Sequence, residues 1–135
     1  MAYIWTEDWA TGNQMIDTQH KQLFQAINAL LDACASGHGR DALDKTMTFL
    51  ADYTAKHFGD EEKLQQQYKY PDYPNHKNLH EGFKRTVADL ARQLKADGPT
   101  VALVAKVNTG VGGWLVTHIQ REDKKVAAHI KQHAA

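Results

Sequence analysis

Apolar residues recur along the chain in steps of three and four, and three clusters of helix-breaking residues cut that rhythm into four stretches. In the first, Ile16, His20, Leu23, Ile27, Leu30 and Cys34 alternate steps of four and three, the seam of a helix packed along one face. The second stripe reads Leu43, Met47, Leu50, Thr54, His57, Glu61 and Leu64, and the third reads His76, His80, Phe83, Val87, Leu90 and Leu94. The fourth holds Val104, Asn108, Val111, Leu115 and His118. The breaks fall at Gly37, His38 and Gly39, at 70–74 around Pro71 and Pro74, and at Asp97, Gly98 and Pro99. No stretch alternates as a strand would, and connections this short favour antiparallel neighbours. The pattern predicts an all-α fold: an antiparallel up-down-up-down four-helix bundle. An N-terminal arm over 1–16 precedes it, its Trp5 and Trp9 packed along the bundle rather than left in water.

Composition narrows this picture further. A length of 135 residues predicts a single domain over 1–135. Sixteen basic side chains balance sixteen acidic ones, so the summed field offers no attraction for nucleic acid or an anionic membrane. Cys34 is the only cysteine, which excludes an intramolecular disulfide and thiolate metal clusters and suits a reducing compartment. With no signal-peptide h-region and no apolar run long enough to insert in a membrane, a cytoplasmic protein is expected.

The chemistry lies in polar residues that replace apolar ones on the inward stripes: His20, His57, Glu61, His76, His80 and His118. In an antiparallel bundle these come from the start of the first helix, the end of the second, the start of the third and the end of the fourth, all at one end and one level. Unsatisfied, buried imidazoles cost roughly 1–3 kcal/mol each and an unpaired carboxylate several more. That sum rivals a domain's whole stability of about 5–15 kcal/mol. No lysine or arginine on the stripes is placed to pair with the carboxylate, whereas imidazole plus carboxylate is a transition-metal ligand set.

Two pairs, His57 with Glu61 and His76 with His80, are spaced i,i+4 and so share a helix face. Asp123 follows His118 by five, which on a regular helix turns it well off that face, so the helix must loosen or end near His118 for Asp123 to point inward. With Asp123 there are seven candidate ligands, more than one ion with about six positions uses. Two ions are implied. If both carboxylates bridge, then with the histidines and a bridging oxide or hydroxide one position stays open, suited to a small diatomic. A zincin motif would need glutamate where Lys77 stands in HKNLH, and the Glu-x-x-His pairs of ferritin-like sites are absent.

A lone histidine (His20), His-x-x-x-Glu (His57, Glu61), His-x-x-x-His (His76, His80) and His-x-x-x-x-Asp (His118, Asp123), with the phrases IDTQHKQLF and WLVTHI and a Trp-containing arm, together resemble the hemerythrin family, in particular its bacterial single-domain members. The likeness spans nearly the whole chain. It implies two iron ions bridged by oxide or hydroxide as cofactor and reversible binding of dioxygen as function. It further implies that His76, His80 and His118 saturate one iron, that His20 and His57 hold the second, which keeps the open position, and that Glu61 and Asp123 bridge. Leu23, Phe58, Trp114, Leu115 and Ile119 stand one turn from ligands, where they would line a dry ligand pocket as well as pack the core.

A carrier, store or supplier of dioxygen is the leading expectation. A sensor or scavenger of oxygen or nitric oxide would use the same centre but pass a signal to a protein partner, for which the chain has no output module. A peroxidase-type enzyme would want an acid or base beside the open position, where the expected neighbours are apolar. Two smaller expectations complete the reading. The glycine-rich run 108–113, at about 1 kcal/mol lost per interior glycine relative to alanine, should thin the wall beside His118 and give oxygen or solvent a path. His38, His129 and His133 should be surface residues, and Tyr68, Tyr70 and Tyr73 packing and turn residues.

Overall fold

The computed structural model describes residues 3–36 and 39–133, the side chains of 36 and 39–43 excepted. Four helices carry the chain: α1 (Gln14–Ser36), α2 (Gly39–Gln67), α3 (Tyr73–Asp97) and α4, a continuous helical run over 101–133. Each packs on the next and α4 closes against α1, giving the antiparallel bundle that the stripes predicted; there is no strand among the described residues.

Local chemistry sets the ends. Asn13 caps α1 by accepting from Ile16 N through Oδ1, while the Asp17 carboxylate accepts from Thr11 N, Thr11 Oγ1 and Gly12 N and so pins the turn that enters the helix. α1 therefore begins at Gln14, and the last three residues assigned to the arm are helical. α3 carries Pro74 in its first turn and stops at Gly98, whose φ of 76° only glycine adopts without strain. Thr100 then caps α4 by accepting from Leu103 N at 3.2 Å. The first predicted break, at Gly37 and His38, lies outside the described residues.

The predicted seam of α1 is buried throughout, as is that of α3. On α2 the stripe holds from Met47 to Glu61, the Leu43 side chain lies outside the described residues, and Leu64 is half-buried while its neighbour Gln65 is fully buried. α4 departs from expectation. Its buried line is Leu103, Val107, Val111, Leu115, Ile119 and Asp123, with His118 beside it, whereas Val104 and Asn108 are only half-buried. The reason is two stretches of π-helix, Asn108–Gly113 and Ile119–Asp123, whose i→i+5 bonds add a residue to a turn. A helix so widened presents the same face in regular steps of four, not in alternating fours and threes.

The main core runs from Leu31 and Cys34 up to Leu23, Phe58, Leu115 and Ile119. A second, smaller cluster of Ile16, Val126 and Ile130, with Met15, Leu64, Tyr68 and Tyr70 against it, closes the opposite end. The arm does pack along the bundle: Trp9 stacks on Phe24 with centroids 4.7 Å apart, Trp5 meets Trp9 edge-on, and Tyr3 exchanges backbone hydrogen bonds of 2.7 and 2.8 Å with the Asn28 side chain. The Tyr3 ring sits directly over Gly112, so the notch expected in the glycine run is filled at that position rather than open. His129 is not a free surface residue either. It is half-buried, its Nε2–H donates to the Tyr68 carbonyl at 2.7 Å, and Tyr70 packs on its edge. Among the described residues no helix is long and apolar enough to cross a membrane.

Candidate metal centre

All seven predicted ligands meet in one layer between the two apolar clusters. His20 comes from the second turn of α1, His57 and Glu61 from successive turns of α2, His76 and His80 from the first turns of α3, and His118 and Asp123 from α4. Six of the seven are fully buried and His118 is 4% exposed. Asp123 reaches the layer because the π turn over Ile119–Asp123 restores the residue five after His118 to the same face. The loosening that the His-x-x-x-x-Asp spacing demanded is thus a widened turn, not a helix end.

The donor atoms form two groups. One is Glu61, His76, His80, His118 and Asp123; the other is His20, His57, Glu61 and Asp123, and in each the candidate ligand atoms lie within 4.8 Å of one another. The carboxylates belong to both and divide their oxygens between them. Glu61 Oε1 lies 2.8 Å from His76 Nε2 and 3.5 Å from His80 Nε2, while Oε2 lies 3.6 Å from His57 Nε2. Asp123 Oδ1 lies 3.1 Å from both His76 Nε2 and His118 Nε2, while Oδ2 lies 2.9 Å from His20 Nε2. In the larger group the Nε2 atoms converge, His118 standing 3.0 Å from His76 and 3.2 Å from His80.

Such crowding makes sense only around a cation. His20 Nε2, His57 Nε2, Glu61 Oε2 and both Asp123 oxygens are buried yet lack a hydrogen-bond partner, a state that costs about 1–3 kcal/mol for each group. The donor set of imidazole nitrogen and carboxylate oxygen fits iron, manganese or zinc. With protons as the only cations the layer is electrostatically divided. Burial, reinforced by His20, pushes His57 down to about 3, whereas for His76 the two carboxylates beside it, Asp123 and Glu61, outweigh burial and hold it up to about 9. Burial and the neighbouring Asp123 push Glu61 well above the usual carboxylate range. Asp123 goes the other way, because His118, His20 and His76 overcome its burial.

A family model for the hemerythrin HHE cation binding domain matches residues 11–130. The chain belongs to the hemerythrin family. It is 32% identical to a bacteriohemerythrin of Stenotrophomonas maltophilia over 130 residues, covering 96% of this chain and 82% of that one. A myohemerythrin of Sipunculus nudus is 35% identical over 123 residues, covering 91% and 89%. In three dimensions the chain is similar to a solved wild-type hemerythrin with a TM-score of 0.83 at 31% identity, covering 96% of this chain and 98% of that one.

Around this layer the five pocket residues predicted from the sequence fall on the wall of the main core. Leu23, Phe58, Leu115 and Ile119 are buried, and Trp114 is half-buried. Phe58 lies flat on His80, centroids 3.7 Å apart and planes 1° apart, and Trp114 stacks on His118 at 4.4 Å. Sequence reasoning missed the polar residues behind the ligands. Gln19 Oε1 is 2.7 Å from His57 Nδ1, Glu62 Oε2 is 2.9 Å from His80 Nδ1, and Gln65 Nε2 donates to Glu61 Oε1 at 3.3 Å. Gln19 and Glu62 each adjoin a predicted ligand in sequence, and Gln65 lies one turn after Glu61, but none falls on a seam.

Proposed function

We propose that this chain binds dioxygen reversibly at a pair of iron ions held by His20, His57, Glu61, His76, His80, His118 and Asp123. Oxygen binding is the function of the family. The observation that carries the reading for this chain is the division of each carboxylate between two groups of imidazoles, which suits two ions sharing two bridges. When bound, the iron pair, joined by an oxide or hydroxide, supplies the electrons that dioxygen takes up on binding and returns on release. The residues do the rest. His76, His80 and His118 would give three nitrogens to one ion and His20 with His57 two to the other, which would leave the open position on the His20 and His57 side. Leu23, Phe58, Leu115 and Ile119 exclude water, and they put no acid or base where a catalytic proton transfer would need one, which favours binding over turnover. The free, buried Cys34 suits a reducing compartment, the cytoplasm.

The test is the optical spectrum of anaerobically reduced, iron-reconstituted protein before oxygen, after oxygen and after degassing, beside a metal analysis. Two irons per chain and a visible band that appears with oxygen and leaves with it are expected. Irreversible oxidation without a distinct adduct would move the function to a redox enzyme or sensor. A single ion would overturn the paired site.

A further inference from the structure

Behind His57 stands a chain of polar groups that runs to the surface. His57 Nδ1 meets Gln19 Oε1 at 2.7 Å, Gln19 Nε2 donates to Asp60 Oδ2 at 2.9 Å, and Lys56 Nζ reaches the same oxygen at 2.8 Å. His57 is fully buried, Gln19 is 7% exposed, and the Asp60 side chain is 29% exposed. By contrast His20 Nδ1 and His76 Nδ1 have no hydrogen-bond partner.

The chemistry of the chain allows one arrangement of protons. An ionised carboxylate only accepts, so the end of Gln19 facing Asp60 is its NH2 and the end facing His57 is its carbonyl. A carbonyl also only accepts, so His57 Nδ1 carries the ring proton and Nε2 is left with a bare lone pair. That Nε2 is buried, has no hydrogen-bond partner, and faces the group formed with His20, Glu61 and Asp123. A flipped Gln19 would turn its NH2 toward His57, move the ring proton to Nε2 and block the ligand atom, but it would also set the carbonyl against Asp60.

We infer that Gln19 is a positioning residue which, oriented by Asp60, locks His57 in the Nδ1–H tautomer and so presents Nε2 as a ligand before any metal arrives. Hydrogen bonds of this kind to a ligating imidazole fix its orientation and raise its basicity, and losing one typically lowers metal affinity 10–100-fold. The inference rests on the paired-metal reading for its purpose, but the tautomer itself does not require a metal.

Two measurements on the full chain test it. In metal-free, 15N-labelled protein at neutral pH, imidazole NMR should show His57 protonated at Nδ1 and bare at Nε2. Gln19→Leu, which removes the acceptor, and Asp60→Asn, which lets Gln19 turn over, should both populate the Nε2–H form. Asp60→Asn changes a partly exposed position, so it keeps the test alive if Gln19→Leu folds poorly. In chelator competition with cobalt(II) alone, the second ion should bind about 10–100-fold more weakly to Gln19→Leu, less so to Asp60→Asn, and the first ion equally to all. An Nε2–H ring in the wild type, or an unchanged tautomer and unchanged second-ion affinity in both variants, would overturn the inference. A wild type that shows the Nδ1–H ring yet binds only one ion would leave the tautomer assignment standing and overturn the paired-site reading instead.

Discussion

Replacing Gly112 with alanine puts the role of the N-terminal arm to a test with a definite sign. A Cβ at this position would overlap Cζ, Oη and Cε2 of Tyr3. The arm backbone is held independently by Asn28, so the ring, not the arm, must swing away. What it loses can be set out from its contacts. Its hydroxyl donates to the Asn108 carbonyl at 2.8 Å, and such a bond contributes about 0.5–1.5 kcal/mol. Its ring packs on Phe24 with centroids 5.6 Å apart, a contact of about 0.5–1.5 kcal/mol, and re-exposing the covered part of this half-buried ring adds about 1 kcal/mol. Against that total of roughly 2–4 kcal/mol stands the higher helix propensity of alanine, about 1 kcal/mol.

Gly112→Ala should therefore destabilise the protein by about 1–3 kcal/mol, whereas in a Tyr3→Ala background, where the new methyl meets no ring, the same change should stabilise it by about 1 kcal/mol. The assay is urea unfolding of the metal-free chain followed by helical circular dichroism, comparing midpoints at unchanged slope. A neutral or stabilising effect in the wild-type background, or equal effects in the two backgrounds, would refute the account of Tyr3 as the residue that fills this notch.

Three further outcomes follow from the same geometry. Phe58→Ala removes a fully buried ring that lies flat on His80; it should cost about 3–5 kcal/mol in denaturant unfolding and speed loss of the oxygenated spectrum, and a cost below 1 kcal/mol would mean the ring is not packed as described. For the metal-free chain, stability against pH should form a dome. His57, depressed to about 3 from an ordinary 6.5, makes the folded state resist protonation, so its contribution is lost as pH falls from about 6.5 toward 3. His76, raised to about 9, contributes fully below about 6.5 and loses its contribution as pH rises through 9; a urea midpoint that changes in one direction only from pH 4 to 9 would contradict this pairing. Deleting the exposed Gln120 should convert the second π turn into regular α-helix, leaving the aspartate four residues after His118 on the same face, so the variant should still bind two ions by metal analysis. Loss of both ions on that deletion would show that the widened turn, not the facing of the aspartate, is what the site needs.

How far this arrangement was legible in the sequence depends on how regular each helix is. α1 and α3 keep the ordinary period, so every position of their seams could be read, and His20, His76 and His80 were found because each breaks an apolar stripe. α4 does not keep it. The stripe written through Val104 and Asn108 assumed alternating steps, and the π turns shift the buried positions to Leu103 and Val107. The signals were present, in a glycine-rich run and in a ligand pair five apart, but only the second was specific enough to say that the helix must loosen. Residues that act across the bundle were not legible at all. Gln19, Glu62 and Tyr3 lie off the seams, and what they touch (His57, His80 and Gly112) is set by how helices and arm come together, 38, 18 and more than a hundred residues away. His129 was misread for the same reason, since the carbonyl it bonds belongs to the end of a different helix.

Coming from helix ends, the seven residues would be expected to sit at the mouth of the bundle, where water would enter. They do not, because α4 continues past Asp123 for another ten residues, Lys124–His133, and its Val126 and Ile130 pack with Ile16 beyond the layer. The site thus lies between a large apolar cluster and a small one, and its low exposure depends on both. The large cluster is held by all four helices, but the small one is held chiefly by the last turns of α4 against the first turns of α1, with Leu64, Tyr68 and Tyr70 alongside. Fewer buried contacts make it the end that opens first in local unfolding. Access of water to the centre is therefore governed by the stability of this small cap and not by that of the bundle as a whole. Substitutions there would expose the polar layer while leaving most of the helical structure in place.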